Sequence, residues 1–313
     1  MKWKASSLCV LIVSATAALA GSAAAQQSQP TDKTADASQN ESTPANTTES
    51  LQKATQNPVA NLISVPLQNN TNFGIGPYNR TQDILNIQPV IPVKLNEKWN
   101  LITRIIQPIV WQPYPAQNTG GEYGFGDMNP TFFLSPAKPG KLIWGAGPAF
   151  VIPTATNDVL GQGKLSMGPS FVALAQPGHW TVGALVNNVW SVAGSGGRPS
   201  VNQMLLQYFI NYNMKKGWYT TIQPILTADW KAASGDVWTV PFGGGVGRIM
   251  KLGFQPVNLT AQFYGNAVHP SGGSSWGMRL QIAFLFPKLS EKEKMLLMEE
   301  KLKEMQAGQA AKK

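Results

Sequence analysis

The chain has 313 residues, a formal net charge of +9 and only 13% charged side chains, about half the ~25% usual in soluble domains. Its 43% hydrophobic content comes with 30 Gly, 23 Pro and 10 Trp, a turn-rich, aromatic mixture unlike that of an ordinary cytoplasmic enzyme. No run of ~18 apolar residues follows the N-terminal segment, which excludes spanning helices. The sole cysteine (Cys9) and two histidines (His179, His269) leave no basis for disulfides, thiolate chemistry or a multi-histidine metal site, and no cofactor is expected.

Residues 1–25 read as a secretory signal peptide. Lys2 and Lys4 precede an apolar run from Leu8 to Ala20, and Ala23, Ala24 and Ala25 supply the small residues for cleavage before Gln26. A membrane anchor is the weaker reading, because the run is too short to span; Cys9 precedes most of it, which argues against a lipoprotein. Residues 26–50 contain no aromatic and no Leu, Ile or Val, carry a charge of −3, and read as a disordered linker.

Residues 51–287 hold 15 basic and 7 acidic residues and follow a period of two. Trp218, Ile222, Pro224, Leu226, Ala228 and Trp230 fall on one face, while Thr221, Gln223, Thr227 and Asp229 fall on the other, with Ile225 as the exception. Such runs predict twelve strands, near 66–76, 83–93, 98–111, 125–135, 141–152, 163–175, 180–193, 201–214, 218–231, 236–250, 255–266 and 275–286. Tight turns alternate with longer Gly- and Pro-rich loops at 112–124, 153–162, 194–200 and 267–274. Short turns on one side and long loops on the other predict an all-β fold, a transmembrane antiparallel up-and-down barrel. An even strand count puts both termini on the periplasmic side.

The apolar face is assigned to lipid for three reasons. Tryptophans lie near strand ends (Trp99, Trp111, Trp180, Trp190, Trp218, Trp230, Trp238, Trp276), where amphipathic rings suit the two membrane interfaces. The strands are longer than the ~5–6 residues of globular sheets. Closure also removes edges that a secreted sheet would expose. In the last strand, Gly277, Leu280, Ile282, Phe284 and Phe286 resemble the C-terminal assembly signal read by the barrel-assembly machinery, although further residues follow it. Within 288–313, Ser290 and Glu293 form a capping box, and Met295, Met298, Leu302 and Met305 recur at helical spacing, predicting a solvated amphipathic helix.

Four stretches carry a family resemblance: Val65 to Gly74; Gly126-Asp127-Met128-Asn129-Pro130; Pro136 to Gly140 with Trp144 to Pro148; and Val240 to Arg248. Over about residues 57–287 the chain resembles bacterial outer-membrane barrels labelled "transporter", related to the barrel proteins of meta-pathway phenol degradation and sometimes mislabelled neuromedin U. The resemblance implies an outer-membrane location and uptake of small, aromatic compounds, and it brings no catalytic residues.

Candidate chemistry is sparse. Gly273, Ser275 and Gly277 match a nucleophile-elbow pattern, with His179 or His269 as a base, but that motif needs a strand–turn–helix and here enters a strand. The glycine runs Gly243 to Gly247 and Gly161 to Lys164 lack the downstream features of a phosphate loop and point instead to a bulge or a close approach inside the barrel. Lys94, Lys98, Lys138, Lys141, Lys215, Lys216 and Lys251 sit at short turns, where contact with anionic lipid head groups explains them better than nucleic acid does. Arg104, Arg279 and Asp229 fall on inward parity, and Asp127 and Arg248 join them where bulges re-aim the chain. These residues either line a constriction favouring anionic or polar-aromatic solutes or form Arg–Asp pairs that brace the barrel. The sequence thus predicts a passive channel, with a structural or interaction barrel as the alternative and a barrel-embedded hydrolase a weaker one.

Overall fold

The computed structural model describes residues 48–287. The predicted signal peptide, linker residues 26–47 and the predicted tail helix over 288–313 lie outside the described residues. Twelve antiparallel strands close into a barrel. They are β1 (Ile63–Ile75), β2 (Arg80–Ile87 continued by Val90–Lys94), β3 (Trp99–Pro113), β4 (Gly121–Phe125 continued by Asn129–Pro136), β5 (Leu142–Val151) and β6 (Lys164–Ala175). There follow β7 (Trp180–Gly194), β8 (Asn202–Asn213), β9 (Trp218–Ile222 continued by Ile225–Asp229), β10 (Trp238–Leu252), β11 (Gln255–Val268) and β12 (Trp276–Phe286). β12 pairs with β1 in unbroken register, from Phe286 opposite Ile63 to Trp276 opposite Phe73. The first and last strands therefore leave no free edge for water or a second chain to pair with.

Each predicted strand has its counterpart within a few residues. The departures are the interruptions inside β2, β4 and β9. Two occur at Pro89 and Pro224, whose ring nitrogens cannot donate to a ladder. Side-chain parity survives both breaks: Gln88 and Val90 both line the lumen, as do Gln223 and Ile225. The sequence alternation runs through these breaks unmarked, which is why it reads as continuous strand.

The outward face is a band of apolar side chains between two aromatic girdles. At the long-loop end, Phe73 stacks on Trp276 with ring centroids 4.0 Å apart, and Trp230 meets Trp238 edge-on at 5.4 Å. At the short-turn end, Trp99 meets Trp144 edge-on at 5.9 Å, and Trp180 packs on Tyr212 at 4.8 Å. The turns are built locally. In one, Asn96 Oδ1 accepts the N–H groups of Lys98 (2.8 Å) and Trp99 (3.0 Å), which reverses the chain between β2 and β3.

The segment before β1 departs most from the sequence reading. Thr48–Ser50, assigned to the linker, open the helix α1 (Thr48–Thr55), and α1 with residues 56–62 forms a strap across the short-turn end of the lumen. Leu51 packs on Tyr219 and Ile249, and Leu62 packs on Ala283 and Leu285. Val59 enters a cluster of inward side chains comprising Ile102, Phe133, Val172, Leu174, Leu185 and Phe209. Burying each such apolar side chain contributes about 1.5–3 kcal/mol. Polar contacts set the strap's position. Gln52 Nε2 donates to Trp218 O (3.0 Å), and Gln56 and Asn213 exchange amide bonds of 2.8 and 3.2 Å. Gln176 Nε2 donates to Lys53 O at 2.7 Å.

The glycine run in β10 serves this seat. Tyr219 is buried, with its hydroxyl donating to Asn258 Oδ1 at 2.9 Å, and its ring lies over Gly247, where a Cβ would fall 2.2 Å from Cζ. We expect Gly247→Ala to push Tyr219 off Leu51 and to cost about 1–3 kcal/mol, the usual range for overpacking. Denaturant unfolding in detergent micelles reads this as an earlier midpoint. A midpoint equal to that of the parent would show that the ring is not wedged there.

Candidate functional site

The lumen above the strap is walled by neutral amides. Asn70 and Asn72 on β1, Asn86 and Gln88 on β2, Gln207 on β8, Gln223 on β9 and Gln281 on β12 all face it. Three cavities divide this space. An outer vestibule of about 450 Å³ reaches the long loops at Asp236 and Pro270 and carries Arg104 on its wall. A side cavity of about 330 Å³ is lined by Asn70, Tyr264, His269 and Arg279. Below the vestibule, an inner chamber of about 150 Å³ is floored by strap residues Thr55, Gln56, Asn57, Pro58 and Ala60. Gln68, Gln88, Arg104, Leu185 and Gln207 line both the vestibule and the inner chamber, so they mark the boundary between the two.

The two lumen arginines are held by amides and carbonyls. Arg104 projects from the middle of β3, where Val90 and Thr131 are its cross-strand neighbours, and its Nη2 donates to Gln88 Oε1 at 3.0 Å. Arg279 Nε donates to Asn70 Oδ1 (2.9 Å), and its Nη1 donates to Gln223 O (3.1 Å) and Gln262 Oε1 (3.3 Å). Its guanidinium also lies over the Tyr264 ring, 5.1 Å from the centroid. Asp229 sits nearer the mouth, accepting from Gln203 Nε2 (3.2 Å) and from the N–H of Lys231 (3.0 Å). Among the described residues the ion pairs are Lys53–Glu49, Lys94–Glu97 and Arg198–Asp158, none of which includes Arg104, Arg279 or Asp229. The bracing Arg–Asp pair is therefore not formed. A neutral amide satisfies guanidinium geometry without cancelling its charge, so the middle of the lumen stays electropositive.

The two conditional candidates lie elsewhere. Asp127 does occupy an irregular stretch, the interruption in β4, but its carboxylate turns to the loop after β5, accepting the N–H groups of Ala155 (3.2 Å) and Gln162 (2.6 Å). It pins a loop and does not line the lumen. Arg248 needed a slip of alternation in β10 to point inward. The register shift beside Val240 places its extra residue in β11, since Val240 and Pro241 face Val268 and Asn266. The parity of β10 is thus intact. Arg248 stays on the outward face opposite Trp218, its guanidinium 5.0 Å from the indole centroid, while Gly247 and Ile249 face in.

Several working residues carried no sequence signal. Arg198 donates to the carbonyls of Asp158 (2.8 Å), Gln162 (3.1 Å) and Gly161, and Arg80 donates to those of Tyr114 (2.8 Å), Ala116 and Gly120 (3.0 Å each). Each gathers a long loop around one guanidinium. Asp236 ties two other loops by accepting the N–H (2.7 Å) and hydroxyl (2.9 Å) of Ser271, which hold its carboxyl below the usual carboxylate range. Ser275 Oγ donates to Phe73 O at 3.4 Å immediately before β12, and His179 lies at the opposite end of the barrel beside Tyr212. The nucleophile-elbow pattern is thus the rim of a strand.

No family model matches the chain, and no curated protein matches it significantly. Among solved structures, an outer-membrane channel from Pseudomonas putida F1 aligns with a TM-score of 0.56 at 16% identity, covering 72% of this chain and 94% of that one. Weaker likenesses are the CymD monoaromatic hydrocarbon channel (TM-score 0.41, 11% identity, 78% and 91% covered) and outer membrane phospholipase A from Escherichia coli (TM-score 0.38, 13% identity, 73% and 97% covered). The chain shares its closed twelve-stranded antiparallel barrel fold with the first of these structures.

Proposed function

We propose that this protein is a passive channel of the bacterial outer membrane for small solutes, polar-aromatic or anionic, with both termini periplasmic. The observation that carries this reading is the amide-walled lumen, with two arginines that no carboxylate among the described residues pairs with. A barrel that merely anchors a partner gains nothing from desolvating two unpaired cations, whereas a solute path gains electrostatic selection from them. The stretches that resemble the phenol-degradation barrels support the same class. Its other partners are outer-membrane lipid around the apolar band and the assembly machinery that reads β12. Nucleic acid is not among them.

The strap favours a second reading, a structural or interaction barrel without transport, because it covers one end of the lumen. Planar-bilayer recording separates the two. Folded, purified protein should give discrete conductance steps of small amplitude, whereas persistent silence from protein with the folded gel mobility would favour the structural role.

A further inference from the structure

The inner chamber beneath Arg104 combines features that the channel reading does not require. Its walls carry two chemistries. Arg104, Gln88, Gln207 and Gln281 bring a guanidinium and amide groups, while Pro58, Ala60, Pro66 and Val90, each only partly buried, bring hydrocarbon. Pro58 and Ala60 belong to the strap, which Leu62 seats on Leu285, so part of the apolar wall is set by the same contacts that hold the strap. Gln88 is buried and already accepts from Arg104 Nη2, which aligns the guanidinium without cancelling its charge. The chamber, about 150 Å³, is far below the several hundred cubic ångströms of a drug-sized pocket.

Ligand chemistry follows from this division. A planar guanidinium recognises a carboxylate through paired N–H donors, and glutamine amides can add a further donor to either oxygen. An inorganic anion would leave the hydrocarbon of Pro58, Ala60 and Pro66 facing water, and a neutral alkane would leave Arg104 without an anion. A dicarboxylate would set its second charge against hydrocarbon, at a large desolvation cost. We infer that the chamber between Arg104 and the strap is a binding site for a small monocarboxylate with a short apolar chain, its carboxylate on Arg104 and its chain against Pro58, Ala60 and Pro66. The inference rests on the lumen being the solute path and names the class of solute held there.

Binding is measured on the full-length barrel in detergent micelles, as the shift in its thermal unfolding midpoint with increasing sodium butyrate at constant ionic strength. A ligand that binds only the folded state raises that midpoint saturably. Butyrate should raise it, while butyramide, of nearly the same shape but uncharged, and sodium chloride should not. Arg104→Gln should abolish the butyrate shift. Arg104→Lys, which keeps the charge but loses the fork, should weaken apparent affinity about tenfold. An equal shift with butyramide or chloride, or a butyrate shift that survives in Arg104→Gln, would overturn the site. Should Arg104→Gln not fold, the contrast between butyrate and butyramide on the parent protein decides the matter alone. No transmembrane gradient enters this measurement. A protein that binds butyrate but never conducts would keep the site and lose the channel, and one that conducts without binding would do the reverse.

Discussion

Removing residues 48–60 should convert a narrow conductance into a large one. The strap is the floor of the inner chamber and spans the lumen at the short-turn end, with Leu51 and Val59 buried in the barrel's inward side chains. Its deletion joins the vestibule to the inner end of the barrel while leaving Ile63–Phe73 free to close on β12. We expect single-channel conductance to rise severalfold over that of the parent and the steps to lengthen. Unchanged conductance in a folded deletion variant would mean that the strap does not limit passage. Loss of folding would mean that the inward apolar cluster needs Val59 as a core residue.

The second large effect concerns the two faces of β12. Leu280 is exposed on the outward face near the middle of the strand, opposite Ala261 and Asn69, and its neighbour Arg279 points into the side cavity. Arginine on the lipid face near the midplane costs about 2–4 kcal/mol, falling toward zero at the interfaces. Leu280→Arg should therefore reduce the folded, heat-modifiable fraction after refolding into lipid. Arg279→Ala should fold like the parent and alter only what the lumen passes, because Asn70, Gln223 and Gln262 are polar groups that lumen water can satisfy. Equal folding of Leu280→Arg and the parent would contradict the assignment of this face to lipid.

Most of the barrel was legible because lipid and lumen impose opposite demands on alternate residues. Trp218, Ile222, Leu226 and Trp230 could be assigned to one face and Thr221, Gln223 and Asp229 to the other without any structure. The same rule placed Arg104 and Arg279 in the lumen. It misassigned Asp127, whose strand is interrupted where its carboxylate caps a loop, and Arg248, whose strand keeps its alternation because the bulge falls in the neighbouring strand. Alternation along one strand cannot show which of two partners carries an extra residue.

The strap was missed for a different reason. Its anchors Leu51, Val59 and Leu62 are spaced too irregularly for helix or strand, and alternation alone does not single out the apolar residues that receive them, such as Ile102 and Phe133. Their place on the inward parity of their strands was the available signal. An inward hydrocarbon cluster in a water-filled barrel requires something to cover it. Gln68, Gln207 and Gln281 were also passed over, because an uncharged amide on inward parity looks the same whether it lines a passage or fills one.

Ion selectivity shows whether the uncompensated lumen arginines select what passes. The measurement is the reversal potential of the full-length protein in a planar bilayer under a tenfold potassium chloride gradient, compared with that of Arg104→Gln/Arg279→Gln. The parent should prefer chloride and the double variant should lose that preference, since both arginines face the lumen without an ion-pair partner among the described residues. A potassium-selective parent, or a double variant with the parent's reversal potential, would contradict it.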